Sequence, residues 1–232
     1  MNFLDQNKSF QRFLIVWFGQ LLSMVGSGLT GFALGVYAFE RTEMATNAAL
    51  VTLLSFLPSI LLRPVGGILA DRFDRRLMMI IGDLGSAAGI VFILLFMMFG
   101  EPELWHIYVG VTLSSIFVGI QSPAYKASAT DLLTEDQYSK GSGLVQLAES
   151  SRFLLSPFLA GLIMYYFSIE SVLIIDIATF LLAVLTVFVI KKQMKPERRE
   201  EERGHWLKEL QDGWQAIVTN RGVLLLILMI SL

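Results

Sequence analysis

The chain has 232 residues, 54% hydrophobic and 16% charged, with a mean hydropathy of +0.62, which excludes an ordinary soluble domain. Its net charge of −2 says little about partners, because in such a chain the placement of charge matters more than its sum. The absence of cysteine excludes disulfides and thiol chemistry and leaves the redox compartment open; His106 and His205 lie too far apart in sequence to suggest a metal cluster.

The apolar residues fall in runs of about 20 or more, the length a helix needs to cross about 30 Å of hydrocarbon. The first run follows Asp5, Lys8 and Arg12. It is too long for a signal-peptide core and has no small-x-small cleavage site, so it reads as a retained span. Six complete spans are expected, over residues 13–38, 47–70, 77–99, 105–125, 141–167 and 170–190. After them comes "KKQMKPERREEER", a mixed-charge linker. The segment "HWLKELQDGWQAIVTN" follows, placing Trp206, Leu207, Leu210, Trp214, Ile217 and Val218 on one helical face, suited to the membrane surface or to the span ends. A seventh apolar run over residues 222–232 is too short to cross a bilayer and reads as a span cut short. The expected division is therefore 1–190, a six-helix transmembrane bundle; 191–221, an inter-bundle loop; and 222–232, the start of a further span.

Of the 18 Lys and Arg residues, Arg63 and Arg152 fall inside spans and Arg41 falls in the outer loops. All the others lie on one side, which the positive-inside rule makes the cytoplasm, together with the N-terminus. Spans 2 and 3 then form a hairpin around the charged stretch "ADRFDRR". An echo between "LLRPVGGIL" in span 2 and "LLSPFLAGLI" in span 5 suggests that spans 1–3 and 4–6 are inverted copies.

"GGILADRFDRRLMMI" resembles the loop 2–3 signature of the major facilitator superfamily, with Gly67, Asp71, Arg72, Arg75 and Arg76 at the motif positions and Asp74 where the pattern often has Gly. "FGQLLSMVGSGLTGFALGVYAFERT", "SPAYKASATDLLTEDQYSKGSGLVQ" and "IIDIATFLLAVL" are similar to its macrolide-efflux and enterobactin-exporter branch. The resemblance implies an all-α membrane protein. Its six helices would be the N-terminal bundle of a twelve-span fold, lacking here the C-terminal six-helix bundle. It implies a latch in which Asp71 accepts hydrogen bonds from a helix N-terminus of that second bundle, while the arginines pair with carboxylates or lipid phosphates. Three arginines that merely fix topology are the simpler alternative.

Charges inside spans are costly, so they are expected to face a bundle interior or a watery cavity. Glu149 and Arg152 share one face of span 5 and read either as a coupling carboxylate with its neighbour or as a mutually neutralising pair. Asp83 and Arg63 lie at similar depth and suggest a structural contact as readily as coupling; Asp176 lies just over a turn inside span 6, where water can reach. Ser156, Pro157 and Gly161 resemble an exporter motif of span 5, with Ser in place of its Gly. Gly28, Gly31 and Gly35 offer a face for close packing. Gln20, Ser23, Ser27, Thr30 and Gln146 are candidate polar cavity positions.

The expected function is secondary efflux of an amphiphilic small molecule, such as a drug or siderophore, across a bacterial cytoplasmic membrane by alternating access. The proton gradient would supply the energy with no cofactor. No phosphate-binding loop with Lys occurs, so no nucleotide is expected, and no nucleic acid; the partners are the lipid bilayer and the substrate. Uptake or lipid movement on the same fold, and a non-transporting six-span scaffold, are the alternatives.

Overall fold

A computed structural model of the chain describes residues 3–100 and 102–190, with side chains from Lys8 onward. They form six helices, α1 (Phe3–Thr42), α2 (Ala45–Arg72), α3 (Arg75–Phe99), α4 (Leu104–Leu132), α5 (Glu135–Tyr166) and α6 (Ile169–Ile190). Each is long and apolar enough to cross a membrane. The expected linker, amphipathic segment and seventh run lie outside the described residues.

The helices outrun the expected spans at their polar ends. α4 continues through Lys126 and Asp131, and α5 starts at Glu135, where the Gln137 side chain accepts the Thr134 backbone N–H at 3.4 Å. Asp74, the departure from the motif pattern, has a local role as the N-cap of α3: its side chain accepts the Arg76 backbone N–H at 3.0 Å.

Short connections make successive helices run antiparallel, so α1 and α4 point in opposite directions. α1 packs on α5 and α6, and α4 on α2 and α3. That exchange is the one an inverted pair of three-helix repeats requires. It also corrects the expected hairpin. Only Phe73 and Asp74 separate α2 from α3, but both helices pack chiefly on α4. The reason lies in small residues: a Cβ on Gly66 would stand 2.7 Å from the Gly119 carbonyl, and one on Gly89 2.6 Å from the Gly110 carbonyl. Backbones that approach this closely leave α4 between its neighbours.

Two apolar clusters hold the ends of the bundle. At the end carrying the α2–α3 connection, here called the basic end, Phe13, Met79 and Tyr125 are buried together. Leu34, Ile93 and Phe180 are buried toward the other end. Large apolar side chains such as Leu61, Phe99, Leu154 and Phe158 face outward, as a hydrocarbon solvent demands. Among the helices, α2 and α5 bury the smallest share of their apolar stretch.

Candidate functional site

Between the two apolar clusters lies a polar layer, and it begins on α1. Gln20 Nε2 donates to Asp83 Oδ2 at 3.0 Å, and Gln121 Nε2 donates to Asp83 Oδ1 at 3.1 Å and to Gln20 Oε1 at 2.6 Å. All three side chains are buried. Asp83 is therefore held by amides from α1 and α4, and the expected contact with Arg63 does not form; Arg63 is exposed on α2. Ser23 is buried on α1, while Gln146 is exposed and takes no part in the layer.

One step further toward the far end, side chains from all six helices converge on a cavity of about 20 Å³, room for about one water molecule. Ser27 and Thr30 come from α1, Ser55 from α2, Ile90 from α3, Ser114 and Ser115 from α4, Arg152 from α5 and Asp176 from α6. Asp176 is fully buried rather than reached by bulk water as expected. Neither its carboxylate oxygens nor the Thr30 hydroxyl has a hydrogen bond of ordinary geometry. The Arg152 guanidinium is near enough for its charge to act on the carboxylate, yet no direct ion pair joins them.

Arg152 also reaches α2. Its Cζ sits 5.1 Å from the centroid of Phe56 on α2, within cation–π range. Phe56 in turn stacks on Phe153 at 5.5 Å and an interplanar angle of 13°. The expected Glu149–Arg152 pair is thus replaced: Glu149 Oε1 binds Lys126 Nζ of α4 at 2.7 Å. Lysine at the end of a flexible stem reaches across helices, whereas the short separation on α5 alone does not dictate a pair.

α1 admits this crowding through glycine. A Cβ on Gly28 would lie 2.6 Å from the Arg152 carbonyl, and one on Gly26 2.8 Å from Asp176 Oδ1. Gly31 and Gly35, expected to belong to the same packed face, meet nothing closer than 3.9 Å. In the span 5 motif, Ser156 donates to the Val25 carbonyl at 2.9 Å and ties α5 to α1. Pro157 lies within the continuous helix, and Gly161 faces open space.

α2 carries a second insertion. The Ser115 hydroxyl accepts the Ser59 N–H at 3.1 Å and donates to the Ser55 carbonyl at 3.0 Å. Those two backbone groups are partners in an unbroken helix, so a side chain enters the α2 ladder beside Pro58.

At the basic end Arg75 ties α3 to α2 and α4. Its guanidinium binds Asp131 Oδ2 of α4 at 2.5 Å and lies 3.7 Å from Asp71 Oδ1; Nε donates to the Ala70 carbonyl at 3.2 Å. Asp71 is largely exposed, Arg72 is exposed, Arg76 is buried, and Gly67 has open space around it. Asp131 was not singled out from the sequence. Its position at the polar end of α4 gave no sign of the partner, because Arg75 is remote in sequence. Among the described residues no cluster of His, Asp and Glu could hold a metal ion; His106 caps α4, its ring accepting the Glu103 N–H at 3.1 Å.

A six-helix membrane bundle with inverted repeats, a polar centre and this charged cluster defines a class of multi-pass transport protein. The profile of the Major Facilitator Superfamily matches residues 16–232, and the chain belongs to that family. It is 28% identical over 219 residues to macrolide efflux protein A of Streptococcus pyogenes, covering 94% of this chain and 54% of the relative. It is 25% identical over 195 residues to the multi-drug resistance efflux pump PmrA of Streptococcus pneumoniae (81% and 47%). Over 157 residues it is 24% identical to the enterobactin exporter EntS of Shigella flexneri (68% and 38%). The chain thus spans about half the length of the curated relatives it matches.

Proposed function

We propose that these helices form the N-terminal half of a proton-driven exporter of amphiphilic small molecules in a bacterial cytoplasmic membrane, with both ends of the six-helix unit in the cytoplasm. The carrying observation is where the intramembrane charge lies. Arg63 stands exposed within α2, one of the two helices that bury least. Lipid contact at mid-depth would cost about 2.5–3.5 kcal/mol, so this face meets water or protein. A water-filled cavity between two bundles is the arrangement alternating access needs. The names of the relatives, efflux proteins for macrolides and multiple drugs and an exporter of enterobactin, support outward transport of amphiphiles. In this reading, Asp71 and the arginines around it latch the two halves together on the cytoplasmic side.

Coupling is assigned to Asp176 rather than Glu149. Lys126 already neutralises Glu149, whereas the Asp176 carboxylate lacks a hydrogen bond and sits where a proton would remove a buried charge. The test is export from everted vesicles, comparing cells that carry the gene with cells that lack it, across a panel of fluorescent amphiphiles. Export should require an imposed proton gradient. Asp176→Asn should abolish that requirement together with uphill export, and Glu149→Gln should keep both. Export that ignores the gradient in the unmodified protein would overturn the coupling, and export lost only in Glu149→Gln would move it back to that residue.

A further inference from the structure

Arg152 stands between two neighbours and touches on both in a single conformation. On one side it lines the cavity that holds Asp176; on the other its guanidinium rests over the Phe56 ring. Around Asp176, α1 presents only the hydroxyls of Ser27 and Thr30, α3 presents Ile90, and α4 presents Ser114 and Ser115. Arg152 is the other charged group lining the cavity among the described residues, since Asp83 is taken up by Gln20 and Gln121 and Glu149 by Lys126. Among the charged groups of the described residues, Arg152 is therefore the one that shares the cavity with Asp176.

Phe56 and Phe153 together make an aromatic surface that already carries a cation, and Phe153 is 56% exposed. Arg63 lies on the same face of α2 as Phe56, about two turns away. With Arg152 on the ring, this face carries two positive charges and repels a third. With Arg152 turned toward a charged Asp176, the ring is bare, the Arg152 charge is paired, and the other cation on this face, Arg63, lies about 10 Å along α2.

We propose that the Phe56–Phe153 pair is a binding site for the cationic group of an amphiphilic substrate, and that Arg152 vacates or reoccupies it according to whether Asp176 is charged or protonated. The proposal rests on the transport reading and gives it a substrate class and a coupling step. A proton on Asp176 releases Arg152 onto the ring and expels the cation; loss of the proton draws Arg152 inward and admits it. Proton and cation then exclude one another, as exchange transport requires.

The site can be tested by binding alone, using the chain in lipid nanodiscs and two probes of matched shape, tetraphenylphosphonium and tetraphenylborate, with empty nanodiscs subtracted. Tetraphenylphosphonium should bind more tightly than tetraphenylborate and weaken about tenfold or more as pH falls. Asp176→Asn, which mimics the protonated acid, should bind weakly at every pH. Arg152→Gln should bind tightly at every pH, and the double variant should behave like Arg152→Gln. Phe56→Leu should weaken binding about tenfold, in keeping with the loss of a cation–π contact, while leaving the pH dependence in place. If Arg152→Gln fails to fold, the Asp176→Asn and Phe56→Leu arms decide. Preference for tetraphenylborate, pH dependence surviving in Asp176→Asn, or unchanged binding in Phe56→Leu would each overturn the site. Binding with the expected pattern but without proton-driven export would leave the site and remove the transport reading; export without this binding pattern would do the reverse.

Discussion

A single buried carboxylate, Asp83, shows what individual residues contribute. Each of its oxygens accepts from a different glutamine, and the two glutamines bond each other. The result is a closed set that joins α1, α3 and α4 with no charge partner. Asp83→Leu would leave the Gln20 and Gln121 amides buried and short of acceptors, a loss of about 1–3 kcal/mol. Asp83→Asn keeps one acceptor oxygen and should cost less. Thermal unfolding in nanodiscs should therefore rank the unmodified chain first, Asn second and Leu last; an Asn variant as unstable as Leu would mean that the negative charge, not the acceptor set, holds the layer. Little of this pairing was legible in the sequence. Gln20 and Asp83 stood out because polar groups are rare in apolar runs, but nothing in a linear chain says which of them touch. Gln121 and Asp131 passed unnoticed for a related reason: they sit near the ends of apolar runs, where polar residues are ordinary. The Arg63–Asp83 and Glu149–Arg152 expectations failed together, because matching opposite charges by depth or spacing ignores amides and lysines arriving from other helices.

At the scale of the helix the sequence was far more informative. The number of spans follows from apolar length alone, and all six appear where expected. The errors fall at the ends, where helix continues beyond hydrocarbon on propensity and caps, as at Thr134 and Asp74. Which helices pack was not legible, since it depends on where backbones can meet. Gly119 shows this at one point: an added Cβ would stand 2.7 Å from the Ser59 carbonyl and 2.9 Å from its Cα. Backbone cannot give way as a side-chain tip can, so Gly119→Leu must push α2 off α4 and break the Ser115 bridge into the α2 ladder. Gly67, conspicuous as a motif residue, has nothing within 4 Å. Gly67→Leu should leave the melting temperature of the isolated chain nearly unchanged, whereas Gly119→Leu should lower it by several degrees or prevent folding, losses typical of overpacking by about 1–3 kcal/mol. Equal effects at the two positions would contradict the packing described.

For the molecule as a whole, the arrangement in the membrane follows from where cations collect. Lys8, Arg12, Arg72, Arg75, Arg76, Lys126 and Lys140 belong to one end of the bundle and Arg41 to the other. Short connections rich in Lys and Arg resist translocation, so the basic end should stay in the cytoplasm, carrying Asp71 and Arg75 with it. The chain has no cysteine, which makes single introduced thiols unambiguous reporters. Thr46 in the first turn of α2 and Ser139 in the first turns of α5 are both exposed and lie at opposite ends. A membrane-impermeant maleimide applied to intact cells should label Thr46→Cys at once and Ser139→Cys only after the membrane is permeabilised. The reverse pattern would invert the bundle and place the Asp71 cluster outside, where it could not latch a cytoplasmic gate. Labelling of both on intact cells would mean that the charge asymmetry fails to impose one orientation. The same pair of thiols thus checks the step on which the direction of transport depends, because a cation admitted when Asp176 is charged is exported only if the protons arrive from the side opposite the basic end.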